Sequence, residues 1–178
     1  MDREVSVPRA EDANADLVAW IESRQHRLLR AAYLLTGDLH RAEDLLQEAL
    51  VKLAGRWDRV RDGNPDAYVR TIIYRDNVSW WRSRREFPVP LTRDLPGRHD
   101  ADATERTIMV RSALASLTSK QRAVLVLRYF EDLSEREAAQ ILGVSVGTVK
   151  SQTAVALTRL RQRAPDLAEF LGKKGGTP

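Results

Sequence analysis

No cysteine occurs among the 178 residues, which excludes a disulfide framework and any thiolate-bound zinc. No apolar run approaches membrane-spanning length, and the opening MDREVSVPRAEDANAD is polar and acidic without an apolar core, so a cytoplasmic setting with no membrane partner is expected. A glycine-rich phosphate loop, an HExxH pair and a nucleophile elbow are missing, and the three histidines, His26, His40 and His99, are scattered. The chain is therefore not expected to be an enzyme or to carry a cofactor. Strand-type alternation and internal repeats are also lacking, which leaves an all-α chain.

What is there is globular in composition, with 43% hydrophobic and 30% charged residues. The net charge is only +4, so a nucleic-acid partner would have to be met by local basic patches. Residues 1–13 read as a disordered tail. From Asp16, Leu17, Trp20, Ile21, Leu28, Ala31, Ala32 and Leu35 recur at helical spacing, and Gly37 stops the helix. Asp38 caps the next, whose apolar side runs from Ala42 through Leu45, Leu46, Ala49, Leu50 and Leu53 to Trp57. Its other side carries Glu43, Asp44, Gln47 and Glu48. Asp58 to Gly63 reads as a polar loop, and Asn64, Pro65 and Asp66 start a third helix that ends in Trp80, Trp81, Arg82, Ser83, Arg84 and Arg85. From Glu86 to Ala103 the periodicity vanishes among prolines, which marks a linker between two lobes, 14–85 and 104–164. Helices are expected near Thr104 to Leu117 and Ser119 to Phe130, and residues 165–178 read as a flexible tail.

The stretch from Ser134 to Arg161 has the grammar of a helix-turn-helix. Ala139 is small where the helices cross, Gly143 tolerates the turn, and Val149 locks the second helix. Ser134 with Glu137 is a capping-box pattern, and Ser145 caps the second helix. Val149, Leu157 and Leu160 form its buried stripe, leaving Thr148, Lys150, Ser151 and Gln152 outward for a DNA major groove. An ordinary packed helical hairpin is the alternative. The Trp80–Arg85 cluster suits stacking on unpaired bases with guanidinium groups on phosphate; the alternative is tryptophan in the core and a solvated helix end. The acids at Glu43 and Asp44 with His40 admit a metal, a solvated face or a docking surface for a basic partner helix.

Three stretches, LLRAAYLLTGDLHRAEDLLQEALVKL, NPDAYVRTIIYRDNVSWWRSRR and LTSKQRAVLVLRYFEDLSEREAAQILGVSVGTVKSQTAVALTRLR, in that order, resemble the bacterial RNA polymerase sigma factors of the sigma-70 family, in the extracytoplasmic function (ECF) group. The resemblance implies two small helical domains, regions two and four, on a flexible linker. It implies docking of Asp44, Leu45, Gln47, Glu48 and Leu53 on the clamp helices of the largest polymerase subunit, with the flap of the second-largest subunit as a further contact. For the minus-ten element it implies recognition and melting by Arg59, Asn64, Arg75, Asn77, Trp81, Arg82, Arg84 and Arg85. For the minus-thirty-five element it implies contacts from Ser145, Thr148, Lys150, Ser151 and Gln152. An anti-sigma factor is a further partner common in the group. The rivals are a stand-alone helix-turn-helix regulator that never joins polymerase and a metal-binding helical enzyme.

Gln152 and Val155 stand where the family often has arginine. Gln152 still offers a donor and acceptor pair for adenine, whereas Val155 cannot bind phosphate. Substituting Gln152 is expected to change promoter choice across a library randomised at the minus-thirty-five element; an unchanged choice would refute its role as a reader.

Overall fold

The computed structural model describes residues 10–83, 110 and 112–174, and among these every regular element is helical. Helix α1 (Ala10–Thr36) begins inside the stretch expected to be a tail, where the sequence AEDANAD supplies acids at a helix start, the end at which they favour the dipole. Gly37 ends it at φ 76°, and its N–H donates to the Tyr33 carbonyl at 2.8 Å. In α2 (Leu39–Ala54) the Asp38 side chain accepts from the Arg41 amide at 2.7 Å, as its cap position implies. The polar loop expected after it contains a helical turn, α3 (Trp57–Val60), and Trp57 opens this turn instead of extending α2. Its ring lies 6.0 Å from that of Trp20. Asn64 then caps α4 (Pro65–Ser83), accepting from Ala67 N–H at 2.9 Å.

The second lobe opens with helical residues around 112–115. The rest of the helix expected from Thr104, the linker 86–103, and residues 1–9 and 175–178 lie outside the described residues. Helix α5 (Ser119–Leu125) carries a capping box between Thr118 and Gln121 and passes into a π-helical turn at Val126–Phe130. After Asp132, at φ 58°, come α6 (Glu135–Leu142), α7 (Val146–Arg163) and α8 (Pro165–Lys174). Helix α8 corrects the flexible tail expected at 165–178. Proline at its first position and Asp166 in its first turn start it, and buried Ala168 with half-buried Leu167 and Leu171 pack it onto the second core.

The two lobes are in contact along one continuous apolar core. Leu28, Leu35, Leu45, Leu53, Val69 and Ile73 of the first lobe belong to the same buried cluster as Val124, Leu127, Ala138, Ala139 and Val149 of the second. A smaller cluster of Leu114, Leu117, Leu125, Ala156 and Leu160 lies behind it. At the junction, Arg122 is only 2% exposed. Its guanidinium donates to the carbonyls of Leu114 (3.1 Å), Leu117 (3.3 Å) and, across the lobes, Leu35 in the last turn of α1 (3.3 Å). Burial lowers its pKa to about 10, which leaves it charged at neutral pH. Carbonyls at a helix C-terminus carry the partial negative charge that suits such a cation.

Gly143 caps α6 at φ 66°, and a Cβ there would meet nothing within 4 Å. The glycine is required by its left-handed backbone and not by space. Gly143→Ala should therefore cost about 1–2 kcal/mol in equilibrium unfolding, and Gly143→Asn less, because asparagine tolerates that conformation better. Equal midpoints for the two variants would contradict this reading.

Candidate nucleic-acid interface

The helix-turn-helix assembles from its own short-range contacts. Ser134 N–H donates to Glu137 Oε2 at 2.8 Å, and Glu137 N–H donates to Ser134 Oγ at 3.2 Å, closing the expected capping box. Val144 N–H reaches the Ala139 carbonyl at 3.1 Å across the Gly143 turn, so the chain leaves α6 at a fixed angle. Ser145 Oγ accepts from Thr148 N–H at 3.1 Å and opens α7. Ala139 and Val149 are buried where the helices cross. The inner stripe of α7 is Val149, Ala156 and Leu160; Leu157, expected on it, is half-buried at its edge.

On the other side of α7, Ser145, Thr148, Lys150 and Ser151 are exposed and Gln152 is half-buried. No acid occurs along α7, and its last turn carries Arg161 and Arg163. Lys150 Nζ lies 3.7 Å from Glu135 Oε2, a loose contact at the surface that a phosphate can replace. The exposed valines Val144, Val146 and Val155 give this surface an apolar component. Apolar contact is what the thymine methyl offers in the major groove.

The residues expected to meet the minus-ten strand do not form one open surface. Arg59 is exposed on α3, and Asn64 is exposed but uses its side-chain oxygen as the cap of α4. Arg75 is exposed, yet its guanidinium donates to the carbonyls of Ile141 (3.0 Å) and Gln140 (3.2 Å) at the C-terminus of α6. Asn77 is wholly buried, and neither polar atom of its side chain has a hydrogen-bond partner among the described residues. That corrects its expected place on the strand-facing surface, since a side chain with no exposed area cannot touch DNA in this arrangement. The backbone of Trp81 and Arg82 continues α4, while their side chains, together with Arg84 and Arg85, lie outside the described residues.

A second exposed surface lies on α2. Asp44, Gln47 and Glu48 are exposed, as the expected docking face requires. Leu45 and Leu53 are both 0% exposed, which corrects their assignment as docking anchors: they point into the first-lobe core. The apolar component is supplied by residues that the sequence reading did not assign to this face. Leu29, Leu46, Leu50, Val51 and Ala54 line a shallow groove beside Glu43 and Gln47, and Val51 is 67% exposed. The signal was present, since α2 carries more apolar residues than one buried stripe needs. His40 Nδ1 lies 3.8 Å from Glu43 Oε2, and no three acids or histidines converge on a metal position among the described residues.

With this geometry in hand, comparison with known proteins is specific. The Sigma-70 region 2 family model matches residues 20–87, and the Sigma-70, region 4 model matches residues 107–160. These spans fall on the two lobes in turn. An RNA polymerase sigma-E factor from Streptomyces avermitilis is 43% identical over 147 residues, covering 80% of this chain and 82% of the relative. The ECF RNA polymerase sigma factor SigW of Bacillus subtilis is 26% identical, covering 88% and 91%. Among solved structures, the sigma factor RpoE of Bartonella quintana, crystallised with the anti-sigma factor NepR, matches with a TM-score of 0.63 at 25% identity, over 86% of this chain and 96% of that one.

The Glu137 carboxyl titrates below its ordinary value of 4.5, first because the Ser134 hydroxyl donates to it and then because the Ser134 amide does. A lowered carboxylate pKa stabilises the fold above the ordinary value, and the contribution is lost as pH falls through the folded value. Glu137→Gln should accordingly lower the midpoint of thermal unfolding at neutral pH and flatten its acid limb, so that the variant and the parent chain converge in acid. An unaltered acid limb would show that this cap does not titrate with folding.

Proposed function

The chain belongs to the ECF group of the sigma-70 family of RNA polymerase sigma factors, and we propose how its surfaces divide the work of directing polymerase to promoters. The face of α2 docks on core polymerase. Asp44, Gln47 and Glu48 form a polar, acidic rim that steers a basic partner helix, and the groove of Leu46, Leu50 and Val51 takes apolar side chains from it. Helix α7 enters the major groove of the minus-thirty-five element through Thr148, Lys150, Ser151 and Gln152. The end of α4, from Arg75 onward, holds the opened minus-ten strand by stacking and phosphate contact. Phosphodiester chemistry stays with the polymerase, in the cytoplasm where it works, and no helix among the described residues is long and apolar enough to cross a membrane.

The observation that carries this reading is the presence, on one chain, of an acid-free exposed helix and an acidic helix face beside an apolar groove. Similarity to RpoE, which was crystallised with NepR, also supports an anti-sigma factor as a partner that would hold the two lobes. A stand-alone regulator would have no use for the α2 face.

The test is binding of the purified chain to bacterial core polymerase, followed by transcription from a genomic promoter library. Joint reversal of charge, Asp44→Lys with Glu48→Lys, should weaken core binding by tenfold or more with unchanged melting, and Val51→Glu should do the same from the apolar side. Tight, specific promoter binding by the chain alone, without core binding, would overturn the reading.

A further inference from the structure

The two lobes meet through charge as well as through apolar packing, and the charged contact has an unusual composition. Glu131 belongs to the second lobe and lies just beyond the π-helical turn, where its N–H donates to the Val126 carbonyl at 2.9 Å. A π-turn inserts one residue and so rotates the downstream side chains by about 100° relative to an uninterrupted helix. The side chain so aimed is 1% exposed and projects into the first lobe. There its Oε2 accepts from Arg27 of α1 at 3.1 Å and lies 3.1 Å from Nε of Arg70 of α4, the latter at an angle too oblique for a hydrogen bond. Its Oε1 has no hydrogen-bond partner among the described residues, and neither has the hydroxyl of fully buried Tyr74, whose phenol lies close enough to feel the Glu131 charge.

Two arginines thus converge on one carboxylate that uses a single oxygen, beside a phenol with no partner among the described residues. A single carboxylate underfills that site. A phosphodiester carries the same charge on two non-bridging oxygens set tetrahedrally and further apart than those of a carboxylate, and phosphate is a preferred partner of guanidinium groups. The lobes cannot stay closed on a promoter: the minus-thirty-five and minus-ten elements lie roughly 25 base pairs apart, about 85 Å of B-form DNA. Arg75, by contrast, touches the C-terminus of α6, directly before the turn into α7.

We propose that Arg27 and Arg70 form a binding site for a backbone phosphate of the opened DNA strand, and that Glu131 occupies this site in the free protein as an internal competitor. The inference deepens the reading of the chain as a promoter-binding factor and depends on it. Opening the lobes withdraws Glu131 and delivers both arginines, together with Arg75, to the strand. The free protein is then a poor DNA binder because its phosphate site is filled by its own carboxylate.

The full-length chain with Glu131→Gln tests this, using a fluorescently labelled 20-residue oligothymidylate as the probe across a salt series. Two freed arginines should tighten binding about fivefold to tenfold at low salt and steepen the slope of log affinity against log salt by about one. Adding Arg27→Gln and Arg70→Gln to Glu131→Gln should abolish the gain. Wild-type affinity and slope for Glu131→Gln would overturn the proposal, whether solution scattering finds the lobes apart or together. Should that variant fail to fold, the Arg27→Gln, Arg70→Gln protein assembled with core polymerase supplies the reading: its promoter salt slope should fall by about one, and an unchanged slope would overturn the site. Binding of the wild-type chain to core polymerase, measured alongside, reports separately on the parent reading.

Discussion

A buried cation holds this molecule at its centre. Arg122 draws the carbonyls of Leu114, Leu117 and Leu35 to one guanidinium, so the start of the second lobe and the end of α1 share a single charge. Burying a charge is tolerable only when its donors are met, and three carbonyl groups from helix ends supply both acceptors and favourable dipoles. Apolar packing is directionless and would let the lobes slide. The planar fork of arginine fixes their register.

That register decides the surfaces each lobe can present. Helix α7 turns Val149 and Leu160 to the interior, so its opposite face, proposed to meet the major groove, stays exposed in the closed molecule. Helix α4 is used differently. Its Arg70 and Arg75 are both committed to atoms of the second lobe, one to a carboxylate and one to a pair of carbonyls. On the proposed division of surfaces, the outer face of α7 is available in this arrangement while Arg70 and Arg75 of α4 are occupied.

What the sequence made legible is what short-range chemistry decides. The capping box at Ser134 and Glu137, the left-handed Gly143 and the cap at Ser145 each depend on residues a few positions apart, and each is found as expected. The faces of α2 were harder. Apolar residues at Leu45, Leu46, Ala49, Leu50 and Leu53 form a band wider than one core contact, and periodicity cannot say which edge of the band meets α1 and which lies open. Leu45 and Leu53 take the inside and Leu46 and Leu50 border the groove, a choice made by the crossing of α1 and α2. Asn77 was illegible for another reason. A buried amide is indistinguishable in sequence from an exposed one. The contact between lobes is carried by pairs such as Arg27 with Glu131, 104 residues apart, and no local pattern announces it.

Tyr74 Oη and Glu131 Oε1, which have no hydrogen-bond partner among the described residues, bear on how hard that contact is to undo. Each buried polar atom left unpaired costs about 1–3 kcal/mol, so the contact is weaker than its buried area suggests. Both halves belong to one chain, however, and a tethered pair meets at an effective concentration on the order of 1 mM. Tethering within a single molecule thus lets an imperfect interface dominate at rest, and a partner that binds only the parted lobes opens it by as much as its preference for that state.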